Sequence, residues 1–461
     1  MKLPRLLPLL LLLAPTVRAE LSTLEIRNLA ASYGMQYLLL EELQRPLDPR
    51  LAKIEAEGLE GCGLFKGKAH VVRSAKEIAA LSGKLNPGDQ LVLAGSDWKD
   101  AQVKFGGRGT EAAPILIRAE KPGSVVFSGA AAVAFYGSHL VITGLEFKRV
   151  LITRDGGTVF RLGLDQDQPA DHCIVNRIKI EDCNSASPDD WPRFKAWYMT
   201  ANFGRDNTVA NSIFTGLRNK GQMIGAAQLP PGELQRMHIL NNRFANRPKL
   251  DDQNGYEIIQ FGWSQERARP AGSLIQGNTF ENCDGENETI TLKASDVVVR
   301  NNTFAGCQGV LCLRTARRVL VQGNVFESRG RPSTGGVRMQ GWGHVIIENI
   351  FRDQKQPRSL TYWPVSMMTA DMEEYGDNGN VSGYGRSKHI LIARNRFEHC
   401  ENRIAVGVVY GPGYPLLPRN IQAHDNIFVG STATTAFEHI VPDPTGELVK
   451  SLRESGNQFL P

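Results

Sequence analysis

The sequence predicts an all-β solenoid: a single right-handed parallel β-helix with a short helical segment in front of it. The first observation is a repeat in which phenylalanine follows asparagine by two residues. It appears in Asn242-Arg243-Phe244, Asn278-Thr279-Phe280, Asn302-Thr303-Phe304, Asn324-Val325-Phe326, Asn349-Ile350-Phe351, Asn395-Arg396-Phe397, Asn426-Ile427-Phe428 and Asn457-Gln458-Phe459. The second is its period: Phe280, Phe304, Phe326 and Phe351 are 24, 22 and 25 residues apart, and Phe397 follows 46 later, two rungs of 23. The third is the content of each repeat, short runs of β-branched and aliphatic residues between Gly, Asn and Pro turns. One supersecondary unit per 22 to 25 residues is the signature of a stacked β-solenoid. Each rung is expected to turn its Phe inward and to place its Asn in a hydrogen-bonding ladder at a turn. Leucine-rich repeats share the period, but their leucine spacing is missing.

In chain order, residues 1–19 read as a secretory signal peptide. Lys2 and Arg5 precede an apolar run from Leu6 to Leu13 broken only by Pro8, and Val17-Arg18-Ala19 offers a cleavage site. The run is too short to span a bilayer, and no later stretch is long enough either. The expectation is an exported chain, secreted or periplasmic, with no membrane span. Residues 20–67 form an N-terminal extension. Apolar residues at helical spacing over 21–43, ended by Pro46, and a second patch over 51–59 predict helices that cap one end of the fold. The β-helix itself is assigned to residues 68–461. Its first strands are Gln90-Leu91-Val92-Leu93, the run from Ile115 to Ala119, and Leu140-Val141-Ile142-Thr143.

Composition excludes several function classes. Without residues 1–19 the 53 basic side chains fall to 50 against 48 acidic ones, a balance of +2 that gives no reason to expect nucleic acid. An anionic partner would have to be held by a local patch. The seven cysteines (62, 173, 183, 283, 307, 312 and 400) contain no CxxC or Cys/His cluster. Cys173 with Cys183, or Cys283 with Cys307, are open either to bridging or to packing on the rungs.

The chemistry concentrates in Gly285-Glu286-Asn287-Glu288-Thr289-Ile290-Thr291-Leu292-Lys293, with Arg314 21 residues after Lys293. Strand alternation turns Ile290 and Leu292 inward and Lys293 outward. In the next repeat Leu311 and Leu313 point inward and Arg314 outward. Lys293 and Arg314 then sit about one rung spacing (~4.8 Å) apart on one outer face. Two stacked cations repel unless they share an anionic ligand. Glu286 and Glu288, expected in the turn before the strand, together with Asn254 one rung earlier, offer hard oxygen donors suited to Ca²⁺. Acidic turn residues are also common as plain solvated surface. Arg338, one rung further on, is a candidate carboxylate contact. Trp342, His344, Tyr362 and Tyr410 are candidates for stacking on sugar rings, or for ordinary packing.

Asn254-Gly255, Glu286-x-Glu288, Lys293, Asn301-Asn302-Thr303-Phe304 and Gly309-x-Leu311-x-Leu313-Arg314 together resemble polysaccharide lyase family 6, which holds alginate lyases and the dermatan-cleaving chondroitinase B. Gly144-Leu145-Glu146-Phe147 and Gly335-Gly336-Val337-Arg338 fit the same pattern, and the resemblance runs over roughly residues 68–430. It implies Ca²⁺ bound by Asn254, Glu286 and Glu288, Lys293 as the base and Arg314 as the acid. The implied reaction is β-elimination on a uronic-acid polysaccharide, alginate foremost and dermatan sulfate as the alternative, leaving a 4,5-unsaturated uronate. Lysine acts as a base only when neutral, a state that neighbouring cations favour. The chain departs from the family at two places: Arg314 is followed by Thr315-Ala316 instead of His-Gly, and Gln260 stands where an outward arginine is usual. Gln260 therefore joins the expected substrate contacts. A polygalacturonase-like hydrolase lacks its Gly-His-Gly element here, and an epimerase lacks its Asp-Pro-His-Asp motif. A non-catalytic polysaccharide-binding solenoid is the remaining alternative from another class.

Overall fold

The structure is a computed structural model. It describes residues 20–35, 46–95, 98–227, 232–250, 254–355, 362–375 and 382–461, so the proposed signal peptide lies outside the described residues. Among these residues the strands form three long sheets of 14, 13 and 13 members. Apart from the two-residue strand Ala170–Asp171, which pairs with Ala132–Ser138, the neighbours along each sheet follow chain order, one strand per sheet per turn of the chain, and they pair in parallel, as in Thr279↔Thr303↔Val325↔Ile350↔Arg396. This is the parallel β-helix expected from the repeat.

The repeat acts through two stacks. Phe214, Phe244, Phe280, Phe304, Phe326, Phe351, Phe397, Phe428 and Phe459 lie one above another, with consecutive centroids between 4.5 and 5.2 Å apart and rings nearly parallel. Beside them, each asparagine side-chain oxygen accepts from the asparagine one rung earlier: Asn302 donates its backbone N–H and its side-chain N–H to Asn324 Oδ1, both at 2.9 Å, and Asn324 does the same to Asn349 at 2.9 and 3.0 Å. The residue before each asparagine is left-handed, as at Asn301 (φ 54°), Gly323 (φ 64°) and Glu348 (φ 58°). That conformation bends the chain sharply enough for one asparagine to turn it into the next sheet. All seven cysteines are free, six of them buried, so they pack rather than bridge.

The described residues of the N-terminal extension lie along the solenoid, whereas its sequence suggested a cap over one end. Its helices, Thr23–Ser32 and Pro49–Gly61, lie along the outer face of the 14-stranded sheet. Ile26, Ala30, Met35, Leu51 and Ile54 pack on outward residues running from Leu116 and Val141 through Leu240 and Val298 to Leu391. The inward neighbours of those residues, Ile117, Ile142, Ile239, Val299 and Ile392, fill the solenoid core. A parallel sheet that is apolar on both faces needs a cover along its length. The cover is pinned at several points: Leu21 donates its backbone N–H to Glu348 at 3.0 Å, Tyr33 stacks on His424 at 3.9 Å, and Arg50 donates to the His172 carbonyl at 2.8 Å. No helix among the described residues is long and apolar enough to cross a membrane.

Candidate active site

The site lies on the outer face of the sheet that holds the strands Ile259–Phe261, Glu288–Leu292, Val310–Leu313 and Val337–Met339. Ile290, Leu292, Leu311 and Leu313 point into the core as alternation requires. Leu292 pairs with Leu313 and Leu313 with Met339, which places Lys293 and Arg314 at equivalent positions just past the ends of adjacent strands. Lys293 is nearly buried, and its ammonium has no hydrogen bond or ion pair among the described residues. An unpaired cation in so enclosed a place invites an anionic ligand.

Glu288 is not in the turn before the strand; it is the strand's first residue. Plain alternation would turn it inward with Ile290, two residues on. The register shifts between them: Glu288 pairs with Val310 and Ile290 with the very next residue, Leu311. This bulge at Thr289 re-aims the Glu288 carboxylate to the outer face. There the Arg338 guanidinium and the Thr291 hydroxyl donate to it, and Arg314 Nη1 lies 4.0 Å away. Burial pushes the Glu288 carboxyl up, but Arg338, then Arg314, Thr291 and Lys293, outweigh it and hold it at about 2.

Glu286 has the opposite environment. Its Oε1 accepts the backbone N–H groups of Gly255 (3.0 Å) and Tyr256 (2.9 Å). Burial, then the charges of Glu257 and Glu288, push its carboxyl up to about 9. Glu257 is buried beside it and accepts from Gln222 Nε2 at 2.7 Å. Beneath these acids the fully buried Arg247 donates to the carbonyls of Tyr256, Leu217, Asn219 and Gly221 at 2.7–3.1 Å, tying together the entry turns of successive rungs. Asn254 is exposed at the mouth of this acidic recess.

Among the described residues no three His, Cys, Asp or Glu side chains are arranged as a ready metal cage. The donors that are present nonetheless suit a hard cation. They are all oxygens, the second oxygen of Glu286 has no partner among the described residues, and Glu257 and Glu288 oppose the charge on Glu286, an opposition that a bound cation would relieve. Glu288 fits less well, since both of its oxygens are already engaged.

The remaining expected contacts divide. Gln260 is outward on the rung before Thr291, where it accepts from Gln222 at 3.0 Å and donates to the Gly262 carbonyl at 2.9 Å. Arg338 is outward too, but buried and committed to Glu288 and to Cys312 Sγ at 3.2 Å, so its first partner is the protein's own carboxylate and not a ligand. His344 has no exposed surface; its Nδ1 accepts from Val319 N–H at 3.3 Å and its Nε2 donates to the Gln340 carbonyl at 3.0 Å. It is an interior turn residue with no face left for a sugar. Tyr362 is half-buried before the strand Val365–Met368, at the entry end of the sheet, away from the end that carries Lys293 and Arg314. Thr315 is buried against the Lys293 carbonyl at 3.5 Å.

Two contributors escaped the sequence reading. Glu257 had no signal beyond being an acid three residues after Asn254. Tyr384 carried no signal: it comes from a loop 70 residues beyond Arg314, and its ring lies 5.8 Å from the Arg314 guanidinium carbon. Tyr410 and Tyr414 pack on it at 5.2 and 5.1 Å, forming an aromatic wall beside the arginine. Burial pushes the Arg314 guanidinium down, but Glu288 and Tyr384 outweigh it and raise it further, so it stays charged.

Comparison with known proteins agrees with this fold. The family model described as Chondroitinase B matches residues 72–414. No curated protein matches the chain. Among solved structures, a mannuronic acid specific polysaccharide family 6 lyase from human gut microbiota superimposes with a TM-score of 0.74 at 24% identity, over 85% of this chain and 87% of that one. The family 6 lyase Pedsa3628 from Pseudopedobacter saltans gives 0.70 at 23%, over 85% and 92%. The family 6 alginate lyase AlyGC gives 0.75 at 24%, with 85% of this chain covering 51% of that one, so the chain spans about half of AlyGC. At these identities the superpositions speak for the fold; the family match over most of the length speaks for descent, and the chain belongs to the chondroitinase B family, the polysaccharide lyases of family 6.

Proposed function

We propose that this lyase is a Ca²⁺-dependent enzyme that cleaves a uronic-acid polysaccharide, alginate foremost, by β-elimination. The observation that carries the reading is Lys293, enclosed yet unpaired, one rung from a charged Arg314. In a 4-linked uronate the C5 proton lies beside the carboxylate and the leaving oxygen is on C4. Lys293 takes the C5 proton, the C4=C5 double bond forms, and the C4–O bond breaks with its electron pair leaving on oxygen. Arg314 stabilises and protonates that oxygen, and the Tyr384 ring holds the guanidinium in place. Asn254 and Glu286 would hold the cation, with Glu288 joining them by exchanging an oxygen from Thr291 or Arg338; when bound the ion supplies Lewis-acid neutralisation of the substrate carboxylate. Export through residues 1–19, to the periplasm or medium, belongs to the same proposal, since such polymers are met outside the cytoplasm.

Alginate is placed first because the net charge of the chain offers no strong basic field for a sulfated polymer. The test is the ultraviolet absorbance of the new conjugated double bond, followed with Ca²⁺ or a chelator on poly-mannuronate, poly-guluronate, mixed alginate and dermatan sulfate. Product from an alginate block that stops on chelation supports the reading. Product from dermatan sulfate alone moves the substrate, and retention of the polymers without any product makes the protein a binder. Lys293→Ala is expected to lower turnover by roughly 10²–10⁴ while the fold survives; undiminished turnover would remove Lys293 as the base.

A further inference from the structure

The outward ladder that carries the site continues toward the N-terminus of the solenoid: Arg338, Cys312, Thr291, Gln260, Gly225, Thr200 and Arg161 are register partners in turn. At its far end is a pocket of about 390 Å³. Arg161, Lys195, Trp197, Asn202 and Trp263 line it, and no acidic side chain does. Neither Arg161 nor Lys195 makes a side-chain hydrogen bond or ion pair among the described residues. Resting this on the lyase reading above, we propose that the pocket is a distal subsite that binds a second uronate of the same polysaccharide chain, its carboxylate on Arg161 and Lys195 and its ring on the tryptophans.

Three features argue for that occupant. The pocket runs along the outer face of the sheet that carries the reacting groups: Lys195 precedes the strand Ala196–Thr200 at its entry end, while Asn202 and Trp263 follow the strands Ala196–Thr200 and Ile259–Phe261 at the end where Lys293 and Arg314 follow theirs. The path between is kept low by Gly225. A Cβ there would come within 3.0 Å of the Trp197 indole, so the glycine lets the indole lie across the strand. The indole N–H donates to Gln222 Oε1 at 2.6 Å, and Gln222 in turn donates to Gln260 and Glu257, so a continuous polar floor joins the pocket to the acidic recess. Finally, aromatic faces beside unpaired cations match the apolar faces and the carboxylate of a uronic acid ring. Along the ladder Arg161 lies four rung spacings from the Lys293 strand, about 19 Å, and the strand that carries Trp197 lies three. A disaccharide at the reacting centre does not reach so far, so the subsite rewards longer chains.

The experiment measures binding, with Lys293→Ala as the parent so that no substrate is consumed. Oligomannuronates and oligoguluronates of increasing length are titrated by calorimetry into Lys293→Ala, and into the same protein carrying Arg161→Ala or Trp263→Ala. The expected result is an affinity that climbs with chain length in the parent and, for the longest oligomers, is about tenfold weaker in either second variant. Thermal melts establish which variants fold, and either one alone serves. Affinity independent of length, no binding, or a length dependence unchanged by both second variants overturns the subsite. The lyase reading fails separately, if wild-type protein binds these oligomers but yields no unsaturated product.

Discussion

Replacing Arg338 by alanine removes the guanidinium that neutralises Glu288 and leaves a carboxylate stranded under the outer face of the sheet. Both side chains are buried, at 3% and 5% exposure, so solvent cannot take over the lost role. The net effect of the surroundings is to hold Glu288 at about 2 against an ordinary 4.5 despite its burial. That difference corresponds to about 3 kcal/mol favouring the charged form, with Arg338 the largest favourable contributor. Losing one partner of such a pair costs about 3–5 kcal/mol. Glu288→Gln alone also costs stability, because it strands the Arg338 charge. The double variant Arg338→Ala/Glu288→Gln strands neither and is expected to lose at least about 2 kcal/mol less than the two single losses combined. The assay is denaturant unfolding of the four proteins, with lyase turnover measured on each. If Arg338→Ala costs under about 1 kcal/mol and the two changes add, the pair is not coupled. Arg338 would then be free to meet a substrate carboxylate, and its assignment as the anchor of Glu288 would fall.

Three further outcomes are expected. Tyr384→Phe keeps the ring beside Arg314 and should retain most turnover, whereas Tyr384→Ala should lose about tenfold by freeing the guanidinium; equal losses in kinetic assays would assign the role to the hydroxyl. Burial holds His344 at about 4 against an ordinary 6.5, so the unfolded chain takes a proton that the fold refuses. Its stabilisation is therefore complete above pH ~6.5 and is lost as pH falls toward 4, about 3 kcal/mol in all, and His344→Asn should flatten that part of a pH-dependent melting profile. Asn324→Leu strands the two Asn302 donors inside the ladder and should cost about 2–5 kcal/mol in denaturant unfolding while leaving the cleaved polymer unchanged; a cost near zero would mean that the ladder follows the fold without supporting it.

Much of this molecule is legible in one dimension because a solenoid makes spacing along the chain into position in space. A Phe every 22 to 25 residues can stack only if the rungs do, so both ladders, and the outward stacking of Lys293 over Arg314, follow from the repeat and from strand alternation. Alternation also misleads where the chain breaks it. One extra residue at Thr289 turns Glu288 to the opposite face, and nothing local announces the bulge. What only the tertiary structure decided are contacts between rungs whose loops differ in length: Arg338 with Glu288 across 50 residues, and Tyr384 against Arg314 across 70. His344 left the groove because backbone turns claimed both of its nitrogens. The N-terminal helices lie along a face because that sheet is apolar on both sides, which is visible only once its strands are stacked. The repeat determined where the rungs go; the insertions, the bulge and the second apolar face determined what meets at the site.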